Sequence, residues 1–382
     1  MFNIDIFCDV IDNYGDIGVV YRLAKNIHQI NKNILINIYI NKYTEVKKLV
    51  ENFDSNLIIN NFENLNIINI ERVSQNSFKY NASKVIIEAF GTEIPDFFKK
   101  SISENAKLII NLEYLSGETW IEGFHKKKSI SYYEGIEKYF FMPGFTEKSG
   151  GIILDYDYLS MIKSINSSKE KYFNNFFKEK NINCIYNKSN LYISIFTYEF
   201  NFKSMIKSLS KVNKNIYIFL CGEKTQKSFD FILKEIKIYK NIHILYMPFF
   251  IQKDYDYLIN LMDFNFVRGE ESLARATISG IPFLWHIYKQ EEYIHLDKLN
   301  SFLDRMSENI DINADIFKKY KDISISTNNI LKDEIENNFE INFDDLFNII
   351  LDNSSFFKKF SEYLIKKCDL TKQLIEFINE KI

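Results

Sequence analysis

The chain has 382 residues, 46% of them hydrophobic and 26% charged, enough to bury a sizeable core and to build two domains. A net charge of -3 supplies no general electrostatic drive toward nucleic acid or an anionic membrane surface, so neither is an expected partner. Cys8, Cys184, Cys221 and Cys368 are scattered, with no CxxC pairing and no histidine at ligand spacing, which argues against a disulfide frame or a zinc site. The N-terminus runs straight into Asn3-Ile4-Asp5-Ile6-Phe7-Cys8 without a basic leader, and no apolar run approaches a membrane span; a cytoplasmic protein is predicted.

Residues 4–8 read as a buried strand and residues 19–30 as a helix, with apolar spacing through Leu23, Ile27 and Ile30. Between them lies Asp9-Val10-Ile11-Asp12-Asn13-Tyr14-Gly15-Asp16-Ile17-Gly18. The layout is that of the first βα turn of a nucleotide-binding fold, but the G-x-G-x-x-G order is missing and acids occupy the turn. Carboxylates at the carboxyl end of a strand face the ligand, so Asp12 and Asp16 are candidates to hold a cationic or hydroxylated substrate or to act as a base. An Asx turn at Asp12-Asn13 and a helix N-cap at Asp16 explain the same residues, and for either one alone that structural role is the stronger account.

Strand and helix then alternate. Strands are predicted at 35–40, 57–59, 67–70, 85–88 and 108–111, with a helix at 44–50. Their apolar runs lack polar alternation, which indicates strands covered on both faces and hence a parallel sheet. Residues 140–146 and Gly150-Gly151 form a tight aromatic turn region, 168–180 a solvated helix, and 181–190 a polar stretch without period that marks a domain boundary. The alternation restarts with strands at 191–196, 216–220 and 242–246 and helices at 204–212, 229–238 and 255–261. From Glu291 onward the pattern is helical, and segments 346–350 and 356–365 are expected to fold back onto the first domain.

The stretch 263–290 organises the second half: a buried strand at 264–267, a polar turn, a short helix, the break Gly280-Ile281-Pro282 and a second buried strand. It delivers Arg268, Gly269, Glu270, Glu271 and Ser272 to a strand's carboxyl end, where open α/β sheets bind ligands. Gly269 lets a ligand approach the backbone, and the helix starting near Glu270 points free N–H groups and a positive dipole end outward. Arg268 adds a fork of donors suited to phosphate, and the Ser272 hydroxyl can donate as well. Taken alone, the stretch is equally explained by Glu270 and Glu271 favouring a helix N-terminus while Arg268 pairs with one of them. The predicted fold is α/β, with two Rossmann-like domains facing a cleft: 1–186, onto which helices at 361–382 pack back, and 187–360. The glycosyltransferase B-type fold is one version of this architecture.

Several separated blocks resemble one family, the protein-arginine rhamnosyltransferases that modify bacterial translation elongation factor P. They are Asp5-Ile6-Phe7-Cys8 with Asp12-Asn13-Tyr14-Gly15-Asp16-Ile17-Gly18-Val19; Ile87-Glu88-Ala89-Phe90-Gly91; Asn111-Leu112-Glu113-Tyr114-Leu115-Ser116; Phe140-Phe141-Met142-Pro143-Gly144-Phe145-Thr146; and 265–272 with Trp285-His286-Ile287-Tyr288. The resemblance implies a B-type fold, no divalent metal and no cofactor, dTDP-β-L-rhamnose as the donor, one arginine of elongation factor P as the acceptor, and inversion at the sugar carbon. It implies that thymine stacks between Phe196 and Phe249, with Tyr198 and Gln252 as neighbouring donor contacts. Arg268, Gly269, Glu270, Glu271 and Ser272 would hold diphosphate, sugar and ribose, with Glu270 assigned to the sugar or the catalytic centre. Asp12 and Asp16 map onto the acidic loop facing the acceptor arginine, with Asp16 as the base and Asp12 as its partner in orientation. Two departures stand out, Glu271 where the family has aspartate and Lys289 where it usually has proline, and 306–345 carries no shared block.

Asp155-Tyr156-Asp157 and Asp254-Tyr255-Asp256 imitate the metal-binding DxD of the A-type glycosyltransferases, but two-residue spacing on a helix turns the carboxylates apart. His286 closes an apolar strand and reads as a structural histidine; His125, beside Lys126-Lys127-Lys128, reads as part of a basic surface patch. Two other functions fit the same residues: a B-type glycosyltransferase with another nucleotide sugar and a small acceptor, and a noncatalytic binder of elongation factor P or of a nucleotide. The joint presence of Asp12, Asp16, Arg268 and Glu270 favours an enzyme.

Overall fold

The computed structural model describes residues 2–10, 15–75, 78–329, 341–352 and 355–382. The chain forms two compact units, Met1–Tyr156 with Leu364–Ile382, and Asp157–Tyr363. Among the described residues, no helix is long and apolar enough to cross a membrane.

The strands of the first unit are β1 Ile4–Cys8, β2 Ile36–Ile40, β3 Ile59–Phe62, β4 Leu65–Asn69, β5 Val85–Ala89, β6 Leu108–Leu112, β7 Lys128–Ser129 and β8 Glu137–Phe141. Its helices are α1 Gly15–Ile30, α2 Ile70–Gln75, α3 Asp96–Asn105 and α4 Trp120–Phe124. The sheet order is β3-β4-β2-β1-β5-β6-β8-β7, parallel except at the edge strands β3 and β7. Every side chain of β1 and β6 is buried, because both faces of the sheet are covered. Alternation sends Ile4, Ile6 and Cys8 into a core shared with Leu23 and Ile27 of α1, and Phe7 into the opposite core with Phe98 and Ile102 of α3. Asp5, on the Phe7 side, is fully buried, and its carboxylate accepts from Tyr80 Oη (2.7 Å), Ser83 N (2.9 Å), Ser83 Oγ (2.8 Å) and Asn37 Nδ2 (2.8 Å).

The C-terminal residues enter this unit through α1. The amide of Asn26 donates to the Leu154 carbonyl (2.9 Å) and to Thr371 Oγ1 (2.8 Å), and Arg22 forms a buried ion pair with Asp155 at 2.8 Å. Asp155 of the first DxD look-alike is therefore a structural anion. Gly151 has φ +78°, and a Cβ there would stand 2.4 Å from the Cys368 carbonyl oxygen, so the glycine pair lets the C-terminal segment approach the backbone directly.

The second unit contains α5 Tyr156–Ser167, α6 Lys169–Glu179, β9 Leu191–Ile195, α7 Lys203–Leu209, β10 Ile216–Leu220, α8 Glu223–Leu233, β11 Ile242–Tyr246, α9 Gln252–Leu261, β12 Phe264–Val267, α10 Glu270–Ser279 and β13 Phe283–Trp285. α11 Ile294–Glu308, α12 Ala314–Asn328, α13 Asp344–Asp352 and α14 Ser355–Lys367 follow, and α15 Leu370–Lys381 belongs to the first unit. The five-stranded sheet is all parallel, in the order β11-β10-β9-β12-β13.

The structure differs from the sequence expectations at identifiable places. The helix expected at 44–50 is a 3-10 turn at Tyr43–Lys48, and the strand expected at 57–59 lies at Ile59–Phe62, paired antiparallel with β4. The aromatic region at 140–146 begins inside β8. α5 and α6 belong to the second unit rather than to a first domain reaching 186, because Phe173 and Phe177 pack into one core with Tyr192, Phe219 and Leu258. Segment 346–350 and most of 356–365 pack on the second sheet, where Phe347 meets Phe264 and Phe357 meets Phe283. Within 306–345, where no family block was found, α12 finishes the β13 edge. Tyr320 Oη donates to the Phe283 carbonyl (2.8 Å), and the Asn328 side chain donates to the Trp285 carbonyl (2.8 Å) and accepts from Ile287 N (2.9 Å).

Candidate active site

Each sheet has one point where the strand order reverses, and open α/β sheets bind ligands in the crevice at that point. In the second unit it lies between β9 and β12, which are adjacent although β10 and β11 separate them in sequence. The residues just beyond these two strands meet there. The Arg268 guanidinium carbon, one step past β12, stands 4.0 Å from the ring centroid of Phe196, one step past β9, and 5.3 Å from that of Tyr198.

The turn bearing Arg268 is fastened from several sides. Ser272 Oγ accepts from Arg268 N (3.1 Å) and donates to the Gly269 carbonyl (2.9 Å), so in this structure its proton is committed to the turn. The Trp285 indole N–H donates to the Arg268 carbonyl. Gly269 is the N-cap of α10 in ordinary extended geometry, and a Cβ there would meet nothing within 4 Å, beside the N–H groups of a helix N-terminus that suits an anion. Glu270 and Glu271 form the first turn of α10. Glu271 accepts from Gln252 Nε2 at 3.4 Å and lies 3.5 Å from Nε of Arg275, one helical turn on. Arg275 is buried over the Tyr158 ring, and Tyr158 Oη donates to the Arg275 carbonyl at 2.8 Å. The carboxylate of Glu271 is thus oriented by a buried cation. Arg268 itself lies against the aromatic rings.

Phe196 leans on Gly222, the N-cap of α8 with φ +79°, and meets Tyr255 edge-on at 5.2 Å. The Tyr255 hydroxyl is buried and has no hydrogen-bond partner among the described residues, and burial holds the phenol in its neutral form. Phe249 follows β11 at the carboxyl edge of the same sheet and is 61% exposed. Behind the site, Tyr198 N donates to Nδ1 of His286 at 3.2 Å; burial, with Lys289 next in effect, pushes the His286 pKa down to about 3, so the ring is a neutral acceptor. His125 is also a backbone acceptor, taking Met142 N at 3.2 Å against the Phe141 ring, and burial, then Lys126, pushes its pKa down to about 4. It is therefore not part of a basic patch. Asp254 of the second DxD look-alike pairs with Lys180, and Asp256 is buried.

In the first unit the reversal lies between β1 and β5, whose ends are in register, Cys8 beside Ala89. Asp9 N donates to Thr92 Oγ1 (2.8 Å), and Thr92 Oγ1 donates to the Ala89 carbonyl (2.6 Å), closing the two loops together. Asp16 is buried in the first turn of α1. Burial, then Asp16 and Asp9, raises the Cys8 thiol pKa, which locates both carboxylates near the end of β1. Burial and then Glu93 raise the Asp9 carboxyl pKa. Asp12 lies outside the described residues. Phe90, in left-handed backbone geometry at φ 60°, stacks on Tyr114 at 4.5 Å beside this edge.

Sequence reasoning singled out neither Asp9 nor Glu93 as candidates, although each follows a predicted strand. Tyr255 and Arg275 gave no signal, because a tyrosine or arginine at helical spacing looks the same whether it faces a site or solvent.

Two parallel sheets, each with its crevice at a strand-order reversal, define a fold of the glycosyltransferase B type. A solved structure described as the structural basis for EarP-mediated arginine glycosylation of translation elongation factor EF-P matches over 100% of both chains, with a TM-score of 0.63 at 18% identity. The profile of the family described as Elongation-Factor P (EF-P) rhamnosyltransferase EarP matches residues 4–379, and the chain belongs to that family. It is 32% identical over 329 residues to a protein-arginine rhamnosyltransferase of Shewanella oneidensis, covering 80% of this chain and 81% of the relative. It is 30% identical over 313 residues to one of Pseudomonas aeruginosa, covering 78% and 80%.

Proposed function

We propose that this chain transfers L-rhamnose from dTDP-β-L-rhamnose to the side chain of one arginine of elongation factor P, with inversion and without a metal ion. The observation that carries the donor side is the meeting of Arg268 and Phe196 at the β9–β12 reversal, beside the N-terminus of α10. In this reading the thymine stacks on Phe196 and Phe249, with Tyr198 and Gln252 beside it. Arg268, Gly269 and the α10 N–H groups hold the diphosphate. Glu271 and Ser272 order ribose and turn, and Glu270 takes sugar hydroxyls, since a carboxylate beside an anion is favourable only when it bonds hydroxyls or a cation.

A guanidinium is almost always protonated and delocalised, so it attacks only when a carboxylate holds it and accepts a proton as the new bond forms. Asp16 is assigned that role and Asp12 the orientation of the arginine. The arginine nitrogen forms a bond to the anomeric carbon, the bond from that carbon to the diphosphate oxygen breaks, and the proton passes to Asp16. Charge growing on the departing dTDP is met by Arg268 and the helix N-terminus, which supply the fixed positive potential a metal ion would otherwise provide.

Anomeric NMR of the modified arginine tests the stereochemistry: an α-linked product supports single displacement and a β-linked product contradicts it. Transfer assayed with and without EDTA tests the metal-free reading, which predicts equal rates; loss of transfer with EDTA and recovery on adding a divalent cation would overturn it.

A further inference from the structure

One face of Phe196 is covered by Arg268. The Arg268 guanidinium lies 4.0 Å from the ring centroid, at stacking distance, and also within reach of Tyr198 at 5.3 Å. Two neighbours fix the position of the ring. A Cβ on Gly222 would stand 2.8 Å from Cε2 and 3.1 Å from Cδ2 of Phe196, and Tyr255 meets the ring edge-on at 5.2 Å. A planar base stacked on the face that Arg268 covers competes with the guanidinium for that seat.

We infer that Arg268 is a specificity-determining residue that plugs the base seat and yields it only to a ligand carrying a diphosphate. This rests on the proposal that Phe196 is the base platform, and adds to it an order of exchange. A guanidinium leaves an aromatic face readily when a phosphate offers two parallel, charge-assisted hydrogen bonds in its place. The turn is built to let the side chain move while the backbone stays. Ser272 and Trp285 hold the N–H and the carbonyl of Arg268, and the residue is only partly buried. A free nucleoside has no group to draw the guanidinium away, so it must compete with the plug. A nucleoside diphosphate moves Arg268 from ring to phosphate and gains both the stacking face and the ion pair. The site thereby discriminates by a charge that lies several bonds from the base it recognises.

The test is calorimetric titration of wild type and Arg268→Ala with thymidine and with dTDP. Loss of the arginine should shift the two ligands in opposite directions: thymidine tightens by roughly 3–30-fold as the seat opens, and dTDP weakens by on the order of tenfold or more as the phosphate contact is lost. Thymidine binding that is unchanged or weaker in Arg268→Ala overturns the plug. An independent arm uses wild type alone: saturating inorganic pyrophosphate should tighten thymidine by drawing Arg268 off the ring, and an unchanged or weakened thymidine affinity overturns it. If dTDP fails to bind wild type at all, the donor reading itself falls, which separates that failure from failure of the plug.

Discussion

A Cβ built on Gly222 would stand 2.8 Å from Cε2 of Phe196, so the aromatic platform after β9 depends on a residue without a side chain at the start of α8. Gly222 also has φ +79° and ψ 149°, a region essentially confined to glycine, where another residue costs about 1–3 kcal/mol. Gly222→Ala should therefore lose about 1–3 kcal/mol of stability in urea unfolding and bind dTDP more weakly, because the ring must shift. An alanine variant with wild-type dTDP affinity in calorimetry would mean that the pose of Phe196 is not set by this contact.

The four donors converging on Asp5 make β1 sensitive to one carboxylate. Asp5→Leu leaves the Tyr80 hydroxyl, the Ser83 hydroxyl and N–H and the Asn37 amide facing an apolar group, and should cost about 3–5 kcal/mol. Asp5→Asn keeps one acceptor oxygen and should cost less. Urea midpoints that fall equally for both variants would assign the loss to the carboxylate's charge rather than to the number of acceptors left.

His286 links stability to pH. Its pKa falls from an ordinary 6.5 to about 3 in the folded chain, so between those values the unfolded state binds more protons. The stability this contributes is fully present above pH 6.5 and is lost as pH falls toward 3. One such group accounts for about 2 kcal/mol between pH 7 and pH 5. His125 adds to the same slope with the same sign, its pKa having fallen to about 4. His286→Asn keeps an acceptor for Tyr198 N and removes the titration, so its unfolding free energy should decline less over this interval. An equal decline in wild type and variant would show that His286 is not buried as a neutral acceptor.

Much of the fold was legible because the strands are short apolar runs in a polar, asparagine-rich chain. The runs at 4–8, 216–220, 242–246 and 264–267 coincide with β1, β10, β11 and β12, and the turn at Gly280 closes α10 in left-handed geometry. Boundaries failed where the polar end of a helix carries no period. α8 begins at Glu223, six residues before the expected start, because Glu223-Lys224-Thr225-Gln226 shows no apolar spacing although Gln226 fastens the Leu220 and Met247 carbonyls. β8 was hidden because Glu137-Lys138-Tyr139 looks polar, while Lys138 is in fact paired with Glu88 of β5. In the site, residues directly following a strand could be read from the sequence. Tyr255, Arg275 and Gly222 could not, since their importance lies in which neighbour's face they touch. Phe196 and Phe249 were singled out through resemblance alone; a lone phenylalanine after a strand is ordinary core chemistry.

In the proposed reaction Asp16 takes the acceptor's proton while the second unit holds the donor. The most direct test is the intact mass of elongation factor P after incubation with dTDP-L-rhamnose and either wild type or Asp16→Asn, with an acceptor variant lacking the target arginine as control and dTDP affinity measured alongside. One deoxyhexose increment is expected with wild type, none on the control, and none with Asp16→Asn despite unchanged dTDP binding; an undiminished increment with Asp16→Asn would remove Asp16 from the base role.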